Sequence, residues 1–329
     1  MASFVTFGET MIQYNAGYMG PYDLSGSHME DVAGAESNVA VNLRTLTDNK
    51  IDTLWISRLG DDEPGESIHA QLSLKTEVKA PLISKEFTGI SYLNHYTDGR
   101  HIKTYKRSGS AASKLTFDDI EPHLAGADIL HVTGITPALS ESCADAVVRS
   151  VKACRHLGIP VSFDVNYRNQ LWQPKEARHF LNKILPFVTI LKLGYDEART
   201  ICGNELTANE YAVKFHRGPV DVVIITTESD GAIMFDGVEV SQAEGISVNA
   251  VDPVGAGDAF VAGFLGGIYL QLGDTEDLFS LDNQEKSFAF RKSLEIANIC
   301  GALTCTRKGD TSAMPNASEV LQYVHFKMK

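Results

Sequence analysis

Short apolar runs rich in β-branched residues recur along this 329-residue chain, at positions 4–7, 54–57, 129–132, 161–163, 188–191 and 222–226. Runs this brief and this uniformly apolar predict strands buried on both faces. Between most of them lie stretches of helical period: across 140–157, Ala144, Val147, Val148, Val151 and Cys154 recur at helical spacing. Strand and helix in alternation predict an α/β fold with a mainly parallel central sheet, helices on both of its faces, and ligands beyond the carboxyl ends of the strands.

One segment breaks this rhythm. Residues 89–107 read GISYLNHYTDGRHIKTYKR, two extended runs around Asp98-Gly99. An Asp-Gly pair between such runs predicts a hairpin with a tight two-residue turn. That register pairs Thr97 with Arg100 and sets Tyr92 opposite Tyr105, so that Tyr92, Tyr105 and Arg107 share one face. Such a ribbon is either an ordinary edge hairpin with solvated charges or a lid over a substrate.

Composition narrows the partners. A formal charge of -13 argues against a nucleic-acid backbone or an anionic membrane surface. No run reaches the about 18 apolar residues of a membrane helix, and the start MASFVTFGE carries no basic leader. Five scattered cysteines, an odd number without metal-ligand spacing, read as free thiols of a cytoplasmic protein. There is no repeat, low-complexity tract or linker, so residues 1–329 read as a single domain.

The chemistry concentrates in 249–270, NAVDPVGAGDAFVAGFLGGIYL. The turn Gly255-Ala256-Gly257 opens into a helix of small apolar residues. Glycines let a ligand approach the backbone, and the unpaired N–H groups of a first helical turn attract an anion, so this is an anion hole that needs no lysine. Asp258 is then placed either to cap the helix or to take the proton of an alcohol attacking a bound phosphate.

The run Asp252-Pro253-Val254-Gly255-Ala256-Gly257-Asp258 resembles the DTxGAGD signature of the ribokinase-like PfkB carbohydrate kinases, with Pro253 in place of threonine. The resemblance extends along nearly the whole chain. Residues 34–40, GAESNVA, are similar to that family's GGxxxNxA segment, with Ala33 in place of its first glycine, and 57–65 resemble its GxxGxDxxG element. It implies a ribokinase-like fold with lid strands inserted at about 10–33 and 88–108, and use of ATP and Mg²⁺. It also implies Asp258 as catalytic base, with Gly255, Ala256 and Gly257 holding the transferring phosphate. Substrate contacts would come from Gly34, Ala35, Asn38, Tyr105, Arg107, Ile135 and Arg168, and Tyr92 joins them through the hairpin register. A homo-oligomer built through the lid would also fit.

Three runs point to a subgroup. Residues 162–168, SFDVNYR, with Leu171-Trp172 are similar to the FDPNxRxxLW of 2-keto-3-deoxygluconate kinases and some fructokinases. Tyr105-Lys106-Arg107 with Ser110-Ala111-Ala112-Ser113 resembles their YxR and SAAS, and Phe7-Gly8-Glu9 fits as well. A sugar acid suits these residues, because a guanidinium holds both oxygens of a carboxylate; Arg107 and Arg168 are the residues assigned to it. On the nucleotide side the resemblance implies Asn166, Lys192, Thr226, Glu228, Gly231, Gly255, Gly257 and Asn298, with Glu197 reaching a metal indirectly or lying on a helix surface. Two positions depart from the pattern: Gly194 stands where NxxE has asparagine, and Glu228 where a phosphate-facing turn has glycine. The expected activity is ATP-dependent phosphorylation of a primary hydroxyl of 2-keto-3-deoxygluconate. The alternatives are a neutral-sugar kinase of the same fold, such as a fructokinase, and a sugar sensor with weakened ATP use.

Overall fold

The computed structural model describes residues 3–98, 100–272, 281–309 and 311–327. A nine-stranded sheet forms the centre, with Ser3–Phe7, Ile129–Thr133, Val161–Asp164, Ile190–Gly194 and Val222–Thr226 side by side and parallel. Asp52–Ile56 and Glu77–Lys79 extend it in parallel on one side, and Gly231–Phe235 and Val240–Glu244 close the other antiparallel. All six apolar runs fall on strands of this sheet or overlap them.

Period-two alternation divides each strand between two cores. Val5, Phe7, Leu191, Leu193, Val223 and Ile225 pack on one face beneath Glu141–Leu157, Pro174–Ile184, Tyr195–Cys202 and Ala208–Phe215. Phe4, Ile190, Val222 and Ile224 pack on the other beneath Ala35–Leu46, Ala256–Leu272 and Asn283–Thr304. Helix Glu141–Leu157 starts where Ser140 accepts the N–H of Cys143 and stops at Gly158, whose φ of 74° suits glycine. Among the described residues no helix is long and apolar enough to cross a bilayer, and all five cysteines are unbridged.

Ala256–Leu272 is packed backbone against backbone. A Cβ on Gly263 would lie 2.7 Å from Ala297 Cα, one on Gly267 2.8 Å from Ser293 Cα, and one on Gly266 2.8 Å from Leu46 Cδ2. Near the middle of the sheet, His131 is wholly buried, stacked on Phe4 and bonded through Nδ1 to Ser162 Oγ at 3.0 Å. Burial, reinforced by the charge of Lys192, lowers its pKa to about 3.

A second sheet of four strands stands apart, in the order His28–Ala33, Met11–Met19, Ile90–His95, His101–Lys106. Its last pair differs from the register expected of a two-residue turn. Ser91, not Tyr92, lies opposite Tyr105, while Tyr92 faces Thr104. The cause is the loop: Tyr96 N–H donates to the carbonyl of Arg100, which shifts the pairing by one residue. Gly99, half of the expected turn, lies outside the described residues. A shift of one residue sends a side chain to the opposite face, so Tyr92 parts from Tyr105 and instead stacks on Tyr14, with ring centroids 5.5 Å apart, and meets Tyr22 at 4.4 Å.

Candidate active site

The turn before helix Ala256–Leu272 is tied down from behind, as Val251 and Asp252 N–H both donate to the carbonyl of Cys305. Gly255 takes φ 78°, a left-handed conformation that glycine adopts freely, and its carbonyl receives Ala259 N–H at 2.8 Å. The first N–H groups of the helix and Asp258 therefore share one end. Asn38 Nδ2 donates to Asp258 Oδ2 at 2.8 Å, which fixes one carboxylate oxygen. Asn38 stands on helix Ala35–Leu46, capped by Gly34; a Cβ there would come within 2.4 Å of Thr10 Oγ1 and 2.8 Å of the Glu9 carbonyl. This close crossing is what the glycine allows.

A lysine does reach this anion hole, from a strand more than sixty residues earlier. Lys192 Nζ lies 3.5 Å from where a Cβ on Gly257 would sit and donates to Asp164 Oδ2 at 2.9 Å. The two side chains are 12% and 3% exposed. Burial opposes the ammonium charge, but Asp164, Glu197 and Asp258 more than offset it, so the Lys192 pKa is raised. Glu197 is no helix-surface glutamate. Its carboxylate accepts Gly194 N–H at 2.7 Å and Tyr167 N–H at 2.8 Å, with Arg168 Nη1 4.0 Å away. Burial pushes its pKa up, and the neighbouring Lys192 works against that shift.

These groups open onto one cleft of about 760 Å³, of the size that holds a nucleotide or a comparable ligand. The structure brings together around it the expected Tyr105, Asn166, Arg168, Lys192, Thr226 and Glu197 with Glu228, Gly255, Gly257 and Asp258. Six carboxylates line it (Asp164, Asp196, Glu197, Glu228, Asp230, Asp258) against three cations (Lys103, Arg168, Lys192). Asn166 and Glu228 both hold positive φ, 39° and 51°. Glu228 thus occupies the backbone conformation that suits the glycine it replaces.

Other expected residues sit elsewhere. Gly231 is structural, since a Cβ there would strike the Ala243 carbonyl at 2.0 Å, and Asn298 Nδ2 donates to the Glu244 carbonyl at 2.7 Å. Ala256 begins the helix behind the turn, Ala35 opens the helix that carries Asn38, and Ile135 leads into the short turn Thr136–Ala138. Arg107 is not among the residues lining the cleft: its Nε donates to Glu9 Oε2 at 2.6 Å, and Ser110 Oγ donates to Glu9 Oε1 at 2.6 Å. Sequence reasoning missed Glu9 as that partner and Lys103 as a cleft residue. It also missed Glu36, a wholly buried carboxyl that accepts both Thr133 and Thr136 hydroxyls and whose pKa burial raises. Lys103 was within reach, being two residues from Tyr105 on one strand.

The family model of the pfkB carbohydrate kinases matches residues 1–317. This chain belongs to that family. Among pfkB relatives it is 28% identical over 331 residues to the probable fructokinase-2 of Arabidopsis thaliana, covering 99% of this chain and 96% of that one. It is 30% identical over 327 residues to the 2-dehydro-3-deoxygluconokinase of Bacillus subtilis, covering 97% and 94%. Among solved pfkB-type folds, a fructokinase with bound ATP from Xylella fastidiosa superposes with a TM-score of 0.85 at 23% identity over 99% of each chain. The protein is a sugar kinase with a ribokinase-like α/β fold.

Proposed function

We propose that this kinase transfers the terminal phosphoryl group of ATP to the primary hydroxyl of a small sugar acid, 2-keto-3-deoxygluconate (2-dehydro-3-deoxygluconate) foremost, giving its 6-phosphate. The observation that carries the reading is the meeting of Asp258, the Gly255–Gly257 turn and Lys192 at one end of one cleft. Asp258, oriented by the Asn38 amide, accepts the hydroxyl proton as the alcohol oxygen bonds to phosphorus. The helix-start N–H groups and the Lys192 ammonium stabilise the charge on the phosphoryl oxygens while the bond to the leaving ADP breaks. Mg²⁺ would neutralise phosphate charge in a cleft rich in carboxylates, and Glu197 and Asp164 are the residues placed to orient its water shell. The second sheet acts as a lid that excludes water. Five unbridged thiols fit work in the reducing cytoplasm.

A neutral ketose is the second reading, favoured by the fructokinase relatives and by Arg107 being bonded to Glu9. ADP release measured across a panel of sugars and sugar acids, with Asp258→Asn as control, tests both. A preference for 2-keto-3-deoxygluconate is expected, and a preference for fructose would replace the first reading by the second.

A further inference from the structure

Helices Pro174–Ile184, Tyr195–Cys202 and Ala208–Phe215 border a second pocket, of about 260 Å³. The last two of these helices begin at the catalytic cleft, which Tyr195 and Ala208 line, and end at this pocket, which Cys202 and Phe215 line. Their eight residues at 1.5 Å each set the two sites about 12 Å apart. Leu181, Ile201 and Phe215, all buried, give the pocket an apolar floor. Around it stand Arg178, Lys214 and Arg217, and among the described residues no carboxylate lines it.

Three cations without an acid are unexpected in a chain with 42 acidic residues and 29 basic ones. The local acids are engaged elsewhere. Of the five between residues 174 and 217, Glu176 accepts Gln173 N–H, Asp196 and Glu205 hold Arg199, Glu197 faces the cleft and Glu210 accepts Thr207 N–H. The three cations reach neutral oxygens instead: Arg178 donates to the Cys202 carbonyl at 3.3 Å, Lys214 to Asn204 Oδ1 at 3.5 Å and Arg217 to Asn182 Oδ1. Covering the last carbonyl of a helix is a common use of a basic residue, but one carbonyl does not call for three cations. Held together they repel one another, and an anion between them removes that cost. Guanidinium groups suit a phosphate, whose monoester carries close to two negative charges at pH 7. We propose that this pocket binds a small organic phosphate, its phosphate held by Arg178, Lys214 and Arg217 and its apolar body laid on Leu181, Ile201 and Phe215. The site is separate from the cleft and does not depend on which sugar the cleft takes.

Cys202, half-buried and unbridged at the pocket, reports its occupancy. Alkylation by iodoacetamide is followed at each cysteine by mass spectrometry, with the cleft filled by saturating MgADP and phenyl phosphate as the probe. The probe should slow alkylation of Cys202 about 10-fold at saturation, because a thiol must be reached to react, while Cys305 behind the cleft turn keeps its rate. Inorganic phosphate, with no apolar body to bury, should need at least about 10-fold higher concentration for any effect. Benzyl alcohol, with no charge, should give no protection. Arg178→Gln/Lys214→Gln/Arg217→Gln should lose the protection by phenyl phosphate, each rate being compared with that of the same protein without probe so that altered thiol reactivity cancels. Unchanged alkylation of Cys202, equal slowing at Cys305, equal protection by benzyl alcohol, or protection that survives in the triple variant overturns the proposal.

Discussion

Replacing Lys192 by methionine separates what the buried ion pair does for the fold from what it does for catalysis. At 2.9 Å, with both side chains nearly sequestered, the ammonium and the Asp164 carboxylate attract by about 6 kcal/mol at an effective dielectric of 20. Desolvation offsets much of this in the intact pair. Methionine leaves Asp164 charged beside Glu197, and breaking such a pair from one side costs about 3 to 5 kcal/mol. With the apolar stem kept, the lower end is expected, a shift of the urea midpoint of about 1 M for a slope near 3 kcal/mol/M. Lys192→Met/Asp164→Asn removes both charges and should recover stability to within about 1 kcal/mol of wild type. Turnover should fall at least about 100-fold in both variants, because neither has a cation over the Gly257 turn. Urea unfolding and coupled ADP-release assays on the three proteins decide it. A single variant as stable as wild type, or a double variant with wild-type turnover, would refute the reasoning.

Asp258→Asn should keep sugar affinity, as measured by calorimetry, and lose turnover by at least about 100-fold, since an amide cannot take the hydroxyl proton; near-normal turnover would remove Asp258 from that role. Glu228→Gly should lower the Kd for MgATP in a titration by removing a carboxylate from the cleft, and a raised Kd would show that Glu228 helps hold the metal. Its effect on stability should be small, because relief of left-handed strain of about 1 kcal/mol is offset by the freedom glycine gains when unfolded. His131 stays neutral in the fold while the unfolded chain binds a proton below its ordinary pKa of 6.5, so its contribution is complete above that pH and is lost as pH falls towards about 3. Each pH unit in that window should cost about 1.4 kcal/mol, and His131→Gln should flatten the dependence of urea midpoints between pH 7.5 and 5.5.

The central strands are legible in the sequence because both faces of the sheet are covered, which leaves unbroken apolar runs. The Gly255–Asp258 turn is legible through its resemblance to DTxGAGD, because the spacing alone leaves Asp258 equally a helix cap. What brings Lys192 beside that turn is the order of strands across the sheet, and local pattern does not encode strand order. The pair of Arg107 with Glu9 spans 98 residues and is hidden for the same reason. The hairpin shows a different limit: an Asp-Gly pair predicts a turn correctly in place, yet one residue of loop length decides whether Ser91 or Tyr92 stands opposite Tyr105.

The glycines of helix Ala256–Leu272 have a bearing on how damaging variants of this enzyme would be interpreted. Gly263 and Gly267 lie about 7 to 14 Å along the axis from Asp258, yet at each a methyl group would run into the backbone of the facing helix. An alanine at either must push the rod aside, and the rod carries the Asp258 carboxylate on its tip. Such a variant would fold, bind its sugar and still fail at turnover, so that a genetic screen for inactive enzyme would return positions one helical turn apart that no ligand touches.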